Sequence, residues 1–365
     1  MAIALDFCLS EMIEAGGSDL LLASGYPPAV RVYGRLTPLD MPLVESEDVD
    51  EILKDALTPL EYSRFQEECG LDFAYESMIG EHGINRFRCN AYVQSRGFSV
   101  VFRIIPWVPP SMSDLGLPEQ LASLTTSRNG LVLVTGPAGC GKTSTLAAMC
   151  RYINDTRAVH MVMIEDPIEY VHRNNRAMIV QRQVGVHVSS FQRALKAVLR
   201  EDPDVIVIGE LRDLETIQLA ITAAETGHLV LGTMHTTSAM HTVSRIISAF
   251  PASQQWQVRT MLADSFKASI SQQLLQRADG QGVIPAVELL INTEAVANLI
   301  REDKCHQIPG VMESSASRGM RLMDQELLRL VRDGSITADE AMAHGHDKRE
   351  LAARLDTLRR RGSLR

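Results

Sequence analysis

The segment GPAGCGKT, residues 136–143, combines residue types that can bind phosphate. It fits the pattern Gly, four residues, Gly-Lys and Ser or Thr, in which backbone N–H groups and a helix N-terminus surround phosphate oxygens. Lys142 is expected to reach the β- and γ-phosphates, and the Thr143 hydroxyl is expected to bind Mg²⁺. The predicted nucleotide-binding residues of this segment are Gly136, Pro137, Ala138, Gly139, Cys140, Gly141, Lys142, Thr143 and Ser144.

Three further apolar runs end in an acid or a histidine. MVMI is followed by Glu165, DVIVIG by Glu210, and LVLGTM by His235. Because ligands bind beyond the carboxyl ends of parallel strands, we expect these side chains to lie beside the phosphate loop as catalytic residues. Nucleotide hydrolysis needs one carboxylate for Mg²⁺ and another to orient and deprotonate the attacking water. Glu210 suits the metal role and Glu165 the base role, and the reverse assignment stays open.

Two histidines lie close together in AETGHLVLGTMHTTSA, residues 224–239. Residues seven apart on an extended strand point to opposite faces, which argues against a shared metal ion. His235, at the carboxyl end of the run, is expected to sense the γ-phosphate or its water. His228 lies at the start of the run and is also a candidate nucleotide-binding residue. It is expected to hold the end of the preceding helix or to form a subunit contact, and a purely structural role is the equal alternative.

The order of apolar runs along the chain predicts the strands and helices that position these residues. GLVLVTG, HMVMIEDP, DVIVIGE and HLVLGTMH alternate with helix-like stretches, which favours an α/β fold with a parallel sheet covered on both faces. Beyond Pro251 the chain is expected to be mainly helical, with one strand at VIPAVELLI. Residues 1–107 mix short strands with helices, as an α+β module does. A proline-rich stretch predicts a linker over residues 108–118, followed by a nucleotide-binding domain over residues 119–365.

Composition narrows the classes of function. The 365 residues suggest two domains, and 36 Lys and Arg against 45 Asp and Glu give a net charge of −9, which argues against a nucleic-acid coat protein. Six cysteines without a CxxC pair argue against disulfides or structural zinc and favour a reducing cytosol. Neither a signal peptide nor a membrane-spanning run is expected, so a role at a membrane would be peripheral.

Four ordered segments carry a resemblance to a known family. GPAGCGKT, IEDPIEYVH, LREDPDVIVIGELRDLETI and TAAETGHLVLGTMHTTSA resemble the Walker A, Asp, Walker B and His boxes of the type II/IV secretion and pilus ATPases. The segments GGSDLLL, GYPPAVRVYGRL and GINRFRCNAYVQSRG resemble the family's N-terminal domain, and NLIRED resembles its C-terminal motif. Within the family, the chain is most similar to the type IV pilus retraction ATPases.

This resemblance implies a PAS-like N-terminal domain and a RecA-like P-loop ATPase core with a helical C-terminal region. It implies a homohexamer that hydrolyses ATP with Mg²⁺ between subunits. It also implies a cytoplasmic protein, peripheral at the inner membrane, that acts on a membrane platform protein to depolymerise pilin and power twitching motility. No nucleic-acid partner and no direct membrane insertion are expected.

The resemblance also implies that N-domain arginines reach the nucleotide across or within a subunit. Arg88, Arg96 and Arg103 are the candidates, with solvated strand-surface arginines as the alternative. The chain departs from the family pattern at two positions. Cys140 stands where the family usually has Ser, and oxidation sensitivity of the ATPase is the disfavoured alternative there because backbone atoms bind the phosphates. Ala297 stands where a motif tied to retraction has Arg.

Several other functions compete with a retraction motor. A pilus assembly or secretion ATPase of the same superfamily is the nearest, although such proteins usually carry a paired-CxxC zinc module that this sequence lacks. A non-retracting paralogue is also possible. A RecA-like DNA motor is disfavoured by the acidic balance, and a non-hydrolysing regulator by the presence of Lys142, Thr143, Glu165 and Glu210 together.

Overall fold

The computed structural model describes residues 4–32, 35–79, 84–105 and 108–360. The chain divides into two compact units, Met1–Val108 and Pro109–Arg365. The predicted domain limits at residues 1, 107 and 365 lie outside the described residues. Within the described ranges, no helix is long and apolar enough to cross a membrane.

The first unit is built on an antiparallel sheet of six described strands in the order β3-β2-β1-β6-β5-β4. Its elements are α1 (Leu5–Glu14), β1 (Asp19–Ala23), β2 (Ala29–Val32), β3 (Arg35–Pro38), α2 (Ser46–Ala56), α3 (Pro59–Glu68), β4 (Gly70–Met78), β5 (Ile84–Gln94) and β6 (Gly97–Ile105).

One face of this sheet and one face of its helices form a separate apolar core. Leu20 pairs with Phe102 and Leu22 with Val100 across β1 and β6, and all four side chains are buried. Because strand residues alternate between faces, these cross-strand pairs place one apolar face against the helices, where Leu53 of α2 is also buried.

The second unit contains a seven-stranded sheet in its described part, in the order β13-β12-β7-β11-β10-β8-β9. Its strands are β7 (Gly130–Thr135), β8 (His160–Glu165), β9 (Met178–Gln183), β10 (Val205–Ile208), β11 (Leu229–Met234), β12 (Phe266–Gln276) and β13 (Val283–Ile291). Every pairing is parallel except that of β12 with β13. The parallel sheet predicted from the apolar runs is therefore present.

Helices cover both faces of that sheet. The described α-helices of the second unit are α4 (Gln120–Thr125), α5 (Lys142–Thr156), α6 (Phe191–Val198), α7 (Leu214–Glu225), α8 (Ala239–Ser248), α9 (Ala252–Ser265), α10 (Glu294–Arg301), α11 (Ile308–Ser314), α12 (Met323–Arg332), α13 (Ala338–His344) and α14 (Lys348–Arg360). Of these, α12 to α14 form a separate core with residues of β12 and β13. Leu131 and Leu133 of β7 pack in the core that includes α6 to α9, whereas Val132 and Val134 pack in the core that includes α4 and α5. Burial on both faces explains why these strands are continuously apolar.

The expectation of a mainly helical chain beyond Pro251 is wrong for residues 266–276, which form β12 between β7 and β13. Its sequence, FKASISQQLLQ, is too polar to resemble the other central strands. Ser269, Ser271 and Gln272 are nevertheless buried, and Ser271 and Gln272 bond to side chains or backbone next to the phosphate loop. The short strand β9 was also not predicted.

Residues of the proline-rich stretch pack within the second unit. Leu117 is buried in the same core as Leu121 of α4, and Met112 and Leu115 pack against that core. The stretch after Val108 therefore contributes apolar surface to the second unit.

Candidate functional site

Residues 136–141 form the loop between β7 and α5, and Lys142 and Thr143 are the first two residues of α5. Gly136 and Gly141 have φ values of +146° and +84°, in the region that favours glycine. A Cβ on Gly136 would lie 2.3 Å from the Gln272 carbonyl oxygen and 2.5 Å from Cys140 Sγ, so a side chain cannot fit there. Gly141 caps α5 without a side-chain hydrogen bond, so no N-cap side chain competes with an anion at the start of this helix.

The three residues in the middle of this loop are exposed to solvent, whereas the residue that follows them is buried. Pro137, Ala138 and Gly139 are exposed, whereas Cys140 is buried. Burial raises the pKa of the Cys140 thiol, with Lys142 acting in the opposite direction. Since the thiolate is the reactive form, this environment also disfavours oxidation of the cysteine that stands in place of the family's Ser.

Lys142 folds over the loop. Its Nζ donates to the carbonyl oxygens of Gly136 at 2.9 Å and Pro137 at 2.8 Å. The same Nζ lies 3.4 Å from Nδ1 of His235, at the end of β11. The ammonium is thus held between the loop and the neighbouring strand end.

His235 joins Lys142 to the acid at the end of β10. His235 Nε2 lies 3.0 Å from Glu210 Oε1, and Arg212 Nε lies 2.5 Å from the same oxygen. Burial acts to raise the pKa of Glu210, but Arg212 and His235 outweigh it, so this pKa lies below its usual value. The ionised carboxylate can only accept hydrogen bonds, which places a proton on Nε2 and directs Nδ1 towards Lys142.

Glu165, at the end of β8, occupies a more enclosed place at the same sheet edge. It is 7% exposed, and its Oε1 accepts from Gln181 Nε2 at 2.9 Å. Gln181 also donates to the carbonyl oxygen of Tyr170, whose hydroxyl lies 2.8 Å from Ser144 Oγ. The structure therefore links Glu165 to the first turn of α5 through β9 and the segment that precedes it.

The four strand ends expected to meet at one edge do so. The neighbouring positions of β7, β11, β10 and β8 in the sheet bring together the loop, His235, Glu210 and Glu165 in that order. Sequence reasoning missed the supporting residues Arg212, Gln181 and Gln272. Arg212 lies in the segment GELRD among other charged residues, so the sequence gives no reason to single it out. Both glutamines belong to strands, β9 and β12, that the apolar pattern did not predict.

His228 lies at the opposite end of β11 from His235. Gly130, the first residue of β7, donates its N–H to the His228 carbonyl oxygen at 3.0 Å. His228 Nδ1 lies 2.9 Å from the Ala223 carbonyl oxygen in the last turn of α7. Within one chain this histidine ties the end of α7 to β11, and the structure does not bring it to the phosphate loop.

The three candidate arginines belong to the first unit and do not form one cluster there. Arg88 and Arg103 are directly opposite each other on β5 and β6, whereas Arg96 lies in the turn at the far end of this hairpin. Arg103 Nε donates to Asp19 Oδ1 at 2.7 Å, and the Asp19 side chain is 5% exposed. Arg96 packs its side chain over Gly25.

Ala297, the other departure from the family pattern, is a buried residue of α10. Its N–H donates to the Thr293 carbonyl oxygen at 2.8 Å. The side chain is 7% exposed and packs in the core that includes α6 to α9.

A family model described as type II/IV secretion system protein matches residues 78–363. The chain belongs to this family. It is 44% identical over 328 residues to the type IV pilus retraction ATPase PilT of Pseudomonas aeruginosa, covering 90% of this chain and 94% of that protein. It is 39% identical over 340 residues to the type IV pilus ATPase PilU of the same organism, covering 93% and 88%.

A solved structure extends this similarity to three dimensions. The crystal structure of the pilus retraction motor PilT with bound ADP matches with a TM-score of 0.88 and 41% identity, covering 96% of this chain and 99% of that one. The resemblance to the pilus retraction ATPases that the four sequence boxes carried is therefore confirmed.

Proposed function

We propose that this chain hydrolyses ATP with Mg²⁺ and, as a homohexamer, powers type IV pilus retraction. The observation that carries the hydrolytic part is the series Lys142, His235 and Glu210, linked at 3.4 and 3.0 Å beside a glycine-rich loop. The retraction part is supported by the 44% identity to a type IV pilus retraction ATPase over 90% of the chain.

The domain assignment is part of the same proposal. Residues 1–107 are a PAS-like domain, residues 108–118 a linker, and residues 119–365 a RecA-like ATPase domain with C-terminal helices. The antiparallel sheet of the first unit and the parallel sheet of the second, with the loop after β7, support this assignment.

The loop binds the phosphates of ATP through backbone N–H groups and the N-terminus of α5. Residues 136–144 surround the phosphates, and the Lys142 ammonium exchanges the Gly136 and Pro137 carbonyls for the β- and γ-phosphate oxygens. His235, in contact with Lys142, senses the γ-phosphate or the water that attacks it.

The donor set suits Mg²⁺, which prefers oxygen ligands and is usually held by one or two carboxylates together with substrate phosphates and water. Thr143 supplies a hydroxyl and Glu210 an ionised carboxylate. The bound ion would withdraw charge from the phosphate oxygens.

Glu165 serves as the base that orients and deprotonates the attacking water. Its partner Gln181 keeps Oε1 fixed at 2.9 Å, so the carboxylate is already held in place when a nucleotide binds. The reverse assignment, with Glu210 as base and Glu165 near the metal, is distinguished by whether Mg²⁺ affinity falls in Glu210→Gln or in Glu165→Gln.

The remaining assignments concern the assembled ring. Arg88, Arg96 and Arg103 supply positive charge to a nucleotide bound between subunits, and His228 lies at a subunit contact. The ring is cytoplasmic, is peripheral at the inner membrane, and acts on a platform protein of the pilus machinery rather than on nucleic acid.

Deletion of the gene in its host, with pili counted by electron microscopy, tests the direction of action. We expect more pili per cell and loss of twitching motility, because extension continues without retraction. Cells without pili would instead indicate an assembly ATPase. Complementation with Glu210→Gln is the matched control, since it restores the chain without restoring hydrolysis.

A further inference from the structure

Gln272, on β12, contacts the phosphate loop although 132 positions separate it from Cys140. Its side chain is buried, and the residue is 3% exposed. Its Nε2 donates to the Cys140 carbonyl oxygen at 2.7 Å, and its Oε1 accepts from the Thr145 hydroxyl at 2.7 Å. One buried amide therefore connects the loop to the first turn of α5.

The chemistry of the two partners fixes the orientation of this amide. A backbone carbonyl only accepts hydrogen bonds, so the amide nitrogen of Gln272 must face Cys140. The amide oxygen then faces Thr145, whose hydroxyl must donate. A leucine at this position, similar in size, would leave both partners without these bonds in a place that water does not reach.

The same residue also lies under both ends of the loop. A Cβ on Gly136 would be 2.3 Å from the Gln272 carbonyl oxygen, and a Cβ on Gly141 would be 2.9 Å from Gln272 Nε2. The main chain of Gln272 thus packs against the first glycine of the loop, and its side chain packs against the last one. The backbone contact excludes a side chain at Gly136, and the φ of +84° favours glycine at position 141.

The bond to the Cys140 carbonyl controls the direction of the next N–H group. In a planar trans peptide, the carbonyl oxygen of one residue and the N–H of the following residue point in opposite directions. Since the Cys140 oxygen points towards Gln272, the Gly141 N–H points away from β12. A flip of this peptide would turn a carbonyl oxygen to the side where phosphate oxygens bind, which would repel them.

We propose that Gln272 is a positioning residue that holds the Cys140–Gly141 peptide in the phosphate-binding orientation and thereby sets the affinity of the loop for nucleotide. This inference rests on the proposed function, because it requires a nucleotide at this loop. Gln272 acts through Cys140 and Gly141 and takes no part in proton transfer. Replacement of Gln272 is therefore expected to weaken nucleotide binding and to leave the rate of the chemical step unchanged.

A residue that only stabilised the domain would behave differently. Its replacement would lower the melting temperature without changing nucleotide affinity in the protein that remains folded. The next residue provides the matched control, because Gln273 belongs to the same strand but its Oε1 lies 2.8 Å from His344 Nδ1, in α13.

The test measures ADP binding to the purified full chain by isothermal titration calorimetry. We expect Gln272→Leu to raise the Kd for ADP about tenfold, as for the loss of one well-placed hydrogen bond. Thr145→Val should raise it by a smaller factor. Thr145→Ser keeps the hydroxyl, so it should bind as wild type does, and so should Gln273→Leu.

Steady-state hydrolysis provides a second readout. We expect Gln272→Leu to raise KM for ATP about tenfold while kcat stays close to the wild-type value. A lower kcat at unchanged KM would overturn the inference, as would wild-type ADP affinity in Gln272→Leu. If Gln272→Leu does not fold, equal affinities in Thr145→Val and Thr145→Ser overturn it. A wild-type chain that binds no ADP refutes the proposed function, and this inference with it.

Discussion

His172 is a buried histidine whose titration links the stability of the second unit to pH. It is 8% exposed, and among the described residues its Nε2 has no hydrogen-bond partner. Burial lowers its pKa from 6.5 to about 4. Above pH 6.5 the imidazole is neutral in both the folded and the unfolded chain. As pH falls below 6.5, the unfolded chain binds the proton first, so stability is lost until the pH reaches the folded pKa.

The size of this loss follows from the two pKa values. At pH 5 the group reduces the free energy of unfolding by about 2 kcal/mol relative to pH 7.5, and by about 3 kcal/mol well below pH 4. His172→Phe removes the titration and keeps a ring of similar size. We therefore expect the free energy of unfolding to fall less in this variant than in wild type between pH 7.5 and pH 5, by about 2 kcal/mol.

Urea titrations at the two pH values, followed by circular dichroism, measure this difference. The same exchange at His306, which is exposed, is the control and should leave the wild-type pH dependence in place, because the buried imidazole of His172 is kept. Parallel pH dependence in wild type and His172→Phe would refute the argument, since the buried imidazole would then not be the group that takes up the proton.

Two further predictions concern the second unit. Glu288 is 3% exposed, and its two carboxylate oxygens accept the N–H groups of Ala239 and Met323, the first residues of α8 and α12. Glu288→Gln presents an amide N–H₂ to one of these donors, so we expect a loss of about 1–3 kcal/mol in stability, measured by urea unfolding. An unchanged midpoint would show that the two helix ends do not depend on this carboxylate. Cys140 is buried with a raised thiol pKa, whereas Cys69 is exposed, so brief iodoacetamide treatment followed by mass spectrometry should modify Cys69 and spare Cys140. Rapid modification of Cys140 would mean that the loop opens readily.

The sequence was sufficient to predict which strand ends meet beside the glycine-rich loop. Glu165, Glu210 and His235 each follow a run made up mainly of Val, Ile, Leu and Met, and such runs are typical of strands buried on both faces. Because parallel strands share one carboxyl edge, their meeting at the loop follows from the pattern without distances. The contact of His235 with Glu210 also required β10 and β11 to be neighbours, which the sequence does not state.

The residues that support these groups were not predictable in the same way. Gln272 is buried and Gln181 is half-buried, and both lie on strands whose polar side chains bond to neighbouring parts of the same sheet edge. Hydrophobic periodicity identifies strands only where burial is apolar. Where polar residues take the place of apolar ones in a strand, the apolar pattern is lost and the strand is not predicted.

The positions of the three candidate arginines on the hairpin of β5 and β6 also could not be predicted from their spacing in the sequence. The three arginines appear close together in the sequence, and antiparallel pairing brings Arg88 and Arg103 together at one end. The turn places Arg96 at the other end. A role for all three at one nucleotide consequently requires more than one region of the first unit.

The most direct test of the central claim is the rate of Mg²⁺-dependent ATP hydrolysis by the purified chain and by two variants that keep the size of the side chain. We expect Glu165→Gln and Glu210→Gln each to lower kcat by roughly 10²- to 10⁴-fold, because each removes a charged oxygen needed for the base or for the metal. The variants should still bind ADP, since the loop is intact. Wild-type rates in both variants would contradict the assignment of this sheet edge as the site of hydrolysis.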